Sequence, residues 1–276
     1  MNKGEISILG CGWLGVPLAK HFIEEGFLVR GSVTNPEKFA LLRNSGILPF
    51  RLVLNNSNVE VDDLQFFDCE VLIVSIPPGR SSGNVQYFPN RIRNLIPLIR
   101  KAEIRKIILI SSTSVYPENL QVAREDDLPV PEKESGKVLL DAENLLKEQT
   151  AFQTTVIRFG GLIGADRNPA RFLQRVSDQV SNAPVNLIHQ DDCIQIISEI
   201  IKQELWGETL NACSPEHPMK GDFYRKAARI SGLPEPLISD RIEDHKIVDS
   251  SKLIRLLDYQ FIYPSPMDYL DSISSD

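Results

Sequence analysis

The sequence predicts an α/β fold: a doubly wound, mostly parallel sheet with a smaller C-terminal α/β lobe. Short apolar runs alternate with amphipathic helical stretches, and the first run opens directly onto a glycine-rich turn. No apolar run approaches the roughly 20 residues that would span a bilayer, because charges recur throughout.

Ile6, Ile8 and Leu9 form a short buried-strand pattern, and the helix that follows places Leu14, Leu18 and Phe22 on one face at four-residue spacing. Between them stands Gly10-x-Gly12-x-x-Gly15. In a strand-turn-helix context each glycine has a physical task. One makes the turn, one admits a pyrophosphate, and one lets the helix pack on the strand, a Rossmann-type arrangement. Gly10, Gly12, Trp13, Leu14 and Gly15 are therefore the expected phosphate cradle, with the helix N-terminus supplying N–H groups. The competing reading is a tight turn without a ligand. Pro17 falls near the first helical turn, where a missing N–H costs little, and Cys11 fills a small slot. The segment does not read as an export signal, since Glu5 enters it and three glycines break it.

A second strand is expected at Leu28 to Val33. An acid at its end would bind the ribose 2′-hydroxyl of NAD. The sequence instead gives Thr34-Asn35-Pro36-Glu37-Lys38, and Thr34, Asn35 and Lys38 accept a 2′-phosphate without repulsion. The expected cofactor is therefore NADP, with NAD second. Thr34 or Asn35 also suits a cap on the helix that Pro36 begins. A third strand lies near Phe50 to Leu54. The run from Glu70 to Gly79 reads as a fully buried strand ending in a stiff loop, so Ser75, Ile76, Pro77 and Pro78 are expected beside the cofactor's adenosine half, or as a structural loop. A helix from Asn84 to Ala102, interrupted by Pro89 and Pro97, leads to a fifth strand, Lys106 to Ile110.

That strand runs into Ser111-Ser112-Thr113-Ser114-Val115-Tyr116-Pro117. The segment resembles Ser-Ser-x-x-Val-Tyr-Gly of the extended short-chain dehydrogenases/reductases, the NAD-dependent epimerase/dehydratase branch. Val156 to Gly164, Asn186 to Asp192 and Leu210-Asn211-Ala212 follow in the same order, and the C-terminal Tyr263-Pro264 is similar to atypical bacterial members. The resemblance implies that Ser112 orients a substrate carbonyl or hydroxyl, and that Ser111, Phe159 and Gly160 belong to the cofactor site. It also implies a Tyr-x-x-x-Lys acid/base pair on the helix after Pro129-Val130-Pro131.

The pair is absent. Aligning Glu143 with the family's glutamate puts Ser135 at the tyrosine and Leu139 at the lysine; a shift of two residues aligns Lys133 and Lys137, again without a tyrosine. An unperturbed tyrosine is a poor base near neutrality, which is why the family pairs it with lysine. Tyr116 and Tyr87 are the hydroxyls that could replace the acid; packing is the other reading for both. Lys137 reads as a solvated helix lysine. Gly161 stands where many sugar-nucleotide members carry asparagine, which speaks against a nucleotide-sugar substrate.

His189 with Asp191 and Asp192 suggests a dyad or metal site, but two acids opening a helix read as caps. Arg158 reads as pairing within the sheet, and Met219, Phe223 and Ala227 as a packed stripe. The scattered Cys11, Cys69, Cys193 and Cys213 give neither metal-ligand nor redox spacing and fit a reducing compartment. A formal charge of -7 over 276 residues argues against general nucleic-acid binding.

The expected division is a Rossmann domain over 1–164, with 185–205 returning to it, and a smaller substrate lobe from 165–184 and 206–276, including a helical stretch near 168–179 and a frayed tail at 272–276. The expected function is an NADP-linked oxidoreductase or epimerase-like enzyme acting on a small hydroxyl- or carbonyl-bearing substrate. It would be cytoplasmic, without nucleic-acid or membrane partners, and compatible with a homodimer. A non-catalytic NADP-binding sensor or scaffold is the alternative. A reductase like the β-hydroxyacid dehydrogenases would explain the glycine turn but not Ser111 to Tyr116.

Overall fold

Strands covered on both faces must be apolar on both, and Ile6, Ile8 and Leu9 in β1 (Glu5–Leu9) are all buried, as is every residue of β5 (Val71–Val74). The computed structural model describes residues 3–79, 85–170, 180–239 and 244–274. Helix α1 (Gly15–Glu24) turns Leu18, Ala19 and Phe22 into the core, and β2 (Leu28–Val33) has the expected bounds. Helix α2 (Phe39–Asn44) leads to β3 (Leu48–Leu54), and β4 (Val59–Val61) folds back antiparallel on it.

Helix α3 (Phe88–Lys101) buries Phe88, Ile92, Leu95, Ile96 and Ile99. Pro89 sits in its first turn, and the helix continues through Pro97 rather than breaking there, held by that apolar face. The expected start of this helix at Asn84 lies outside the described residues. Strand β6 (Lys106–Ser112) extends to include both serines of the motif, and helix α4 (Glu134–Lys147) follows the short β7 (Gln121–Ala123).

The remaining elements are β8 (Gln153–Phe159), β9 (Gly161–Ile163), β10 (Val180–Ser181), β11 (Leu187–His189), α5 (Gln190–Lys202), β12 (Thr209–Ala212), α6 (Lys220–Ile230), β13 (Ile238–Ser239), β14 (Lys246–Val248), α7 (Ser251–Leu257) and α8 (Pro266–Ser274). Among the described residues, the main sheet has eight strands in the order β12-β8-β6-β5-β1-β2-β3-β4. Strands β6, β5, β1, β2 and β3 run parallel, and the order reverses between β1 and β5, which makes the sheet doubly wound.

The chain divides into two compact units: Met1–Val115 with Pro131–Ile157 and Ile200–Thr209, and Tyr116–Val130 with Arg158–Glu199 and Leu210–Asp276. These bounds differ from the expected 1–164 and 185–205. The reason is pairing: β9 and β11 pair with each other outside the main sheet, so 158–199 groups with the second unit. That unit also holds the parallel pairs β7–β14 and β10–β13. Its core joins Phe223 and Ala227, two residues of the expected stripe, to Ile163, Ala170, Val185, Tyr269 and Leu270, while the third, Met219, is the half-buried N-cap of α6 and stands outside this cluster. Of the helical stretch expected near 168–179, residues 171–179 lie outside the described residues, as do 275–276 of the tail. Among the described residues, no helix is long and apolar enough to cross a membrane.

Candidate functional site

In the first unit, four neighbouring parallel strands, β6, β5, β1 and β2, deliver their carboxyl ends side by side, and the reversal of strand order falls between β5 and β1. In open α/β sheets such a switch point is where ligands bind. The sequence-predicted residues Ser111 and Ser112 end β6, Ser75 to Pro78 follow β5, Gly10 to Gly15 follow β1, and Thr34 to Lys38 follow β2.

The three glycines are not equivalent. Gly10 has φ +103°, and a Cβ on it would lie 2.7 Å from the Ser75 carbonyl oxygen and from Ile76 Cγ2. Both conditions demand glycine. A Cβ on Gly15 would lie 2.4 Å from the Gly10 carbonyl oxygen, so α1 leaves β1 in backbone contact. Gly12 is different: its φ is not positive, it is exposed, and among the described residues a Cβ there would meet nothing within 4 Å. Neither conformation nor packing requires glycine at this position. The turn is fixed from β2, where the Ser32 carbonyl accepts from Cys11 N–H at 2.8 Å and the Ser32 hydroxyl from Gly10 N–H at 3.0 Å. The first turn of α1 carries no acidic residue and no side-chain cap, which leaves its positive end unneutralised. Cys11 is buried, and burial pushes its thiol up to about 12.

Beyond β2, Thr34, Asn35 and Lys38 are exposed. Asn35 caps the short helix begun by Pro36, accepting from Glu37 N–H at 3.0 Å and donating to the Glu37 carboxylate at 2.8 Å. Beyond β5, Ser75 N–H is held by the Leu9 carbonyl at 2.8 Å, Pro77 is exposed and Pro78 buried.

At the end of β6 the two serines separate. Ser111 is buried and donates to Glu143 at 2.5 Å, while Ser112 is half-buried and accepts from Ser114 N–H at 3.2 Å. Helix α4 crosses this loop closely, since a Cβ on Gly136 would lie 2.2 Å from the Ser114 carbonyl oxygen. Its register puts Leu139 in the core at 3% exposure and Ser135 half-buried, while Lys133 and Lys137 are exposed. The shifted alignment thus aims both lysines at solvent. Tyr87 is 36% exposed.

The second unit contains Tyr116, Phe159 and Gly160. Tyr116 is 2% exposed, donates to Asn211 Oδ1 at 2.9 Å and accepts from Arg158 Nη1 at 2.6 Å, with that guanidinium 5.0 Å from the ring centroid. Burial pushes the phenol above the usual tyrosine range, with Arg158 opposing. Phe159 is buried, and a Cβ on Gly160 would lie 2.9 Å from the Asn186 carbonyl oxygen.

The acids after His189 do not act as caps. His189 does: its Nδ1 accepts from Asp191 N–H at 3.2 Å, at the start of α5. Asp192 is fully buried and accepts from Tyr259 Oη at 2.9 Å and from the N–H groups of Ile262 and Tyr263 at 2.7 and 3.2 Å. It clamps a loop seventy residues away, a partnership that no local pattern reveals. Among the described residues, no group of three or more His, Cys, Asp or Glu could hold a metal ion.

No family model matches the sequence. The Escherichia coli K12 protein YeeZ is 31% identical over 267 residues, covering 95% of this chain and 97% of the relative. The chain belongs to the YeeZ family. Among solved structures, UDP-glucuronic acid 4-epimerase from Bacillus cereus, in complex with UDP-glucuronic acid and NAD, matches with a TM-score of 0.78 at 22% identity, over 98% of both chains. A short-chain dehydrogenase/reductase superfamily protein from Agrobacterium tumefaciens with bound NAD matches with a TM-score of 0.75 at 16% identity, over 98% of this chain and 96% of the other. The fold is therefore the one implied by the Ser111 to Tyr116 and Val156 to Gly164 motifs.

Proposed function

We propose that the chain binds a nicotinamide dinucleotide, NADP before NAD, at the carboxyl ends of β6, β5, β1 and β2, and acts as an oxidoreductase or epimerase-like enzyme on a small hydroxyl- or carbonyl-bearing substrate. One observation carries the binding: Gly10 and Gly15 are demanded by the chain's own backbone, whereas Gly12 guards open space that only a close ligand makes useful. The uncapped, acid-free start of α1 favours a phosphate there. Solved structures of the same fold with bound NAD support a dinucleotide. The absence of an acid at the end of β2 and the exposed Thr34 and Lys38 support a 2′-phosphate, which the nearby Glu37 opposes.

When bound, the nicotinamide supplies hydride transfer. The chain's own contribution is orientation: Ser112, half-buried at the end of β6, holds a substrate oxygen, and the buried Ser111–Glu143 bond fixes that strand end against α4. Tyr116 stands in this reading as a packing residue, since Asn211 and Arg158 already engage its hydroxyl.

The second reading is a nucleotide sensor that catalyses nothing, and α4 favours it. Ser135 and Leu139 replace the acid/base pair, and a buried leucine exchanges no proton. Fluorescence titration with NADPH and NADH, repeated on Gly12→Asp, tests the binding. Saturable NADPH binding lost in the variant supports it, and no binding to either nucleotide overturns both readings. Turnover on a panel of small alcohols and ketones then separates enzyme from sensor.

A further inference from the structure

We propose that His189 is a proton-sensitive latch that holds the C-terminal segment from Tyr259 to Tyr269 in place while its imidazole is neutral. Nδ1 of His189 has two alternative partners on one residue. It accepts from Asp191 N–H at 3.2 Å, which requires a bare lone pair, and stands 3.4 Å from Asp191 Oδ2, which requires a proton. The two bonds exclude each other. Protonation sets two donors face to face at the first turn of α5 and hands Nδ1 from the backbone to the carboxylate.

The rest of the ring ties this exchange to the chain's end. It packs 4.3 Å from the Tyr263 ring and 4.5 Å from the Tyr269 ring, is 6% exposed, and its buried Nε2 has no hydrogen-bond partner among the described residues. A cation there would lack an acceptor on that side. Three residues on, Asp192 clamps Tyr259, Ile262 and Tyr263, so a shift in the first turn of α5 reaches the same loop by a second route.

Among the described residues, the groups around the imidazole can be named by element. Helix α5 brings Asp191, whose 53% exposed carboxylate favours the proton, and Asp192; the loop before α8 brings Tyr263, and α8 brings Tyr269. Strand β9, paired with β11, brings no ionisable side chain, and the loop leaving it carries Arg167. Burial dominates and pulls His189 below its ordinary value of 6.5, Asp191 opposing. The sign follows. The neutral form belongs to the fold, so the stability it confers is present above 6.5 and is lost as pH falls below it toward the folded-state value.

The test is hydrogen exchange by mass spectrometry on the full chain from about pH 7.5 to about pH 5, corrected for intrinsic rates, in the natural protein and in His189→Asn. Asparagine keeps an acceptor for Asp191 N–H and cannot titrate, while Asp192, whose burial raises its carboxyl, is common to both proteins. Protection of peptides spanning 259–270 should fall at least about tenfold on acidification in the natural protein and stay flat in the variant, with β1 peptides unchanged in both. Equal responses, or none in the natural protein, overturn the latch. Should His189→Asn not fold, Asp191→Asn decides alone: without the carboxylate the transition must move to lower pH, and an unmoved transition refutes the proposal.

Discussion

Ser111 donates its hydroxyl to Glu143 at 2.5 Å, and both side chains are buried, at 5% and 1% exposure. The end of β6 is thereby tied to α4 by a bond whose acceptor has no water to fall back on. Glu143→Ala should cost about 2–3 kcal/mol in urea unfolding, because it strands a buried hydroxyl, while Glu143→Gln, which keeps an acceptor, should cost about 1 kcal/mol. Equal costs would mean that charge, not acceptance, matters.

On the proposed reading, the glycine turn should separate folding from binding. Gly15→Ala presses a methyl onto the Gly10 carbonyl and should destabilise by about 2 kcal/mol or more. Gly12→Ala meets nothing and should change stability by less than about 1 kcal/mol, yet weaken NADPH binding at least about tenfold on the proposed reading. Thermal unfolding and nucleotide titration of the two variants check both halves.

Cofactor choice should follow the charge after β2. Lys38→Glu adds a second carboxylate near Glu37 and should cut the ratio of NADPH to NADH affinity by about tenfold, roughly 1.4 kcal/mol, with NADH binding little changed. A variant that loses both nucleotides equally would show that Lys38 serves the fold instead.

Tyr116→Phe removes the hydroxyl between Asn211 and Arg158 and should lower stability by about 1–3 kcal/mol. Its NADPH affinity per folded molecule should equal that of the natural protein. If a turnover is found, abolition of it in this variant, with binding spared, would return Tyr116 to the role of an acid.

Much of the fold was legible because its signals are local. The run from Ile6 to Leu9, the glycine triplet and the stripe on α1 lie within twenty residues, and β2 needed only its own six. What stayed hidden depends on distant partners. The three-residue strands β7 and β14 carry too little pattern to read, yet pair across more than a hundred residues. Asp192 looked like a cap because its loop partner lies seventy positions on, and a capping role for His189 was invisible because histidine rarely opens a helix. The glycine spacing could not tell Gly12 from its neighbours, since a motif weighs three positions alike and only their surroundings differ.

The empty surroundings of Gly12 have a genetic consequence. On the proposed reading, an allele with a side chain at that position would fill a cell with intact protein that no longer binds a dinucleotide. A strain carrying it that behaves like a deletion would place the biological role downstream of nucleotide binding. One that behaves like the parent would place the role in the protein's physical presence, and the search would move from substrates to interacting proteins.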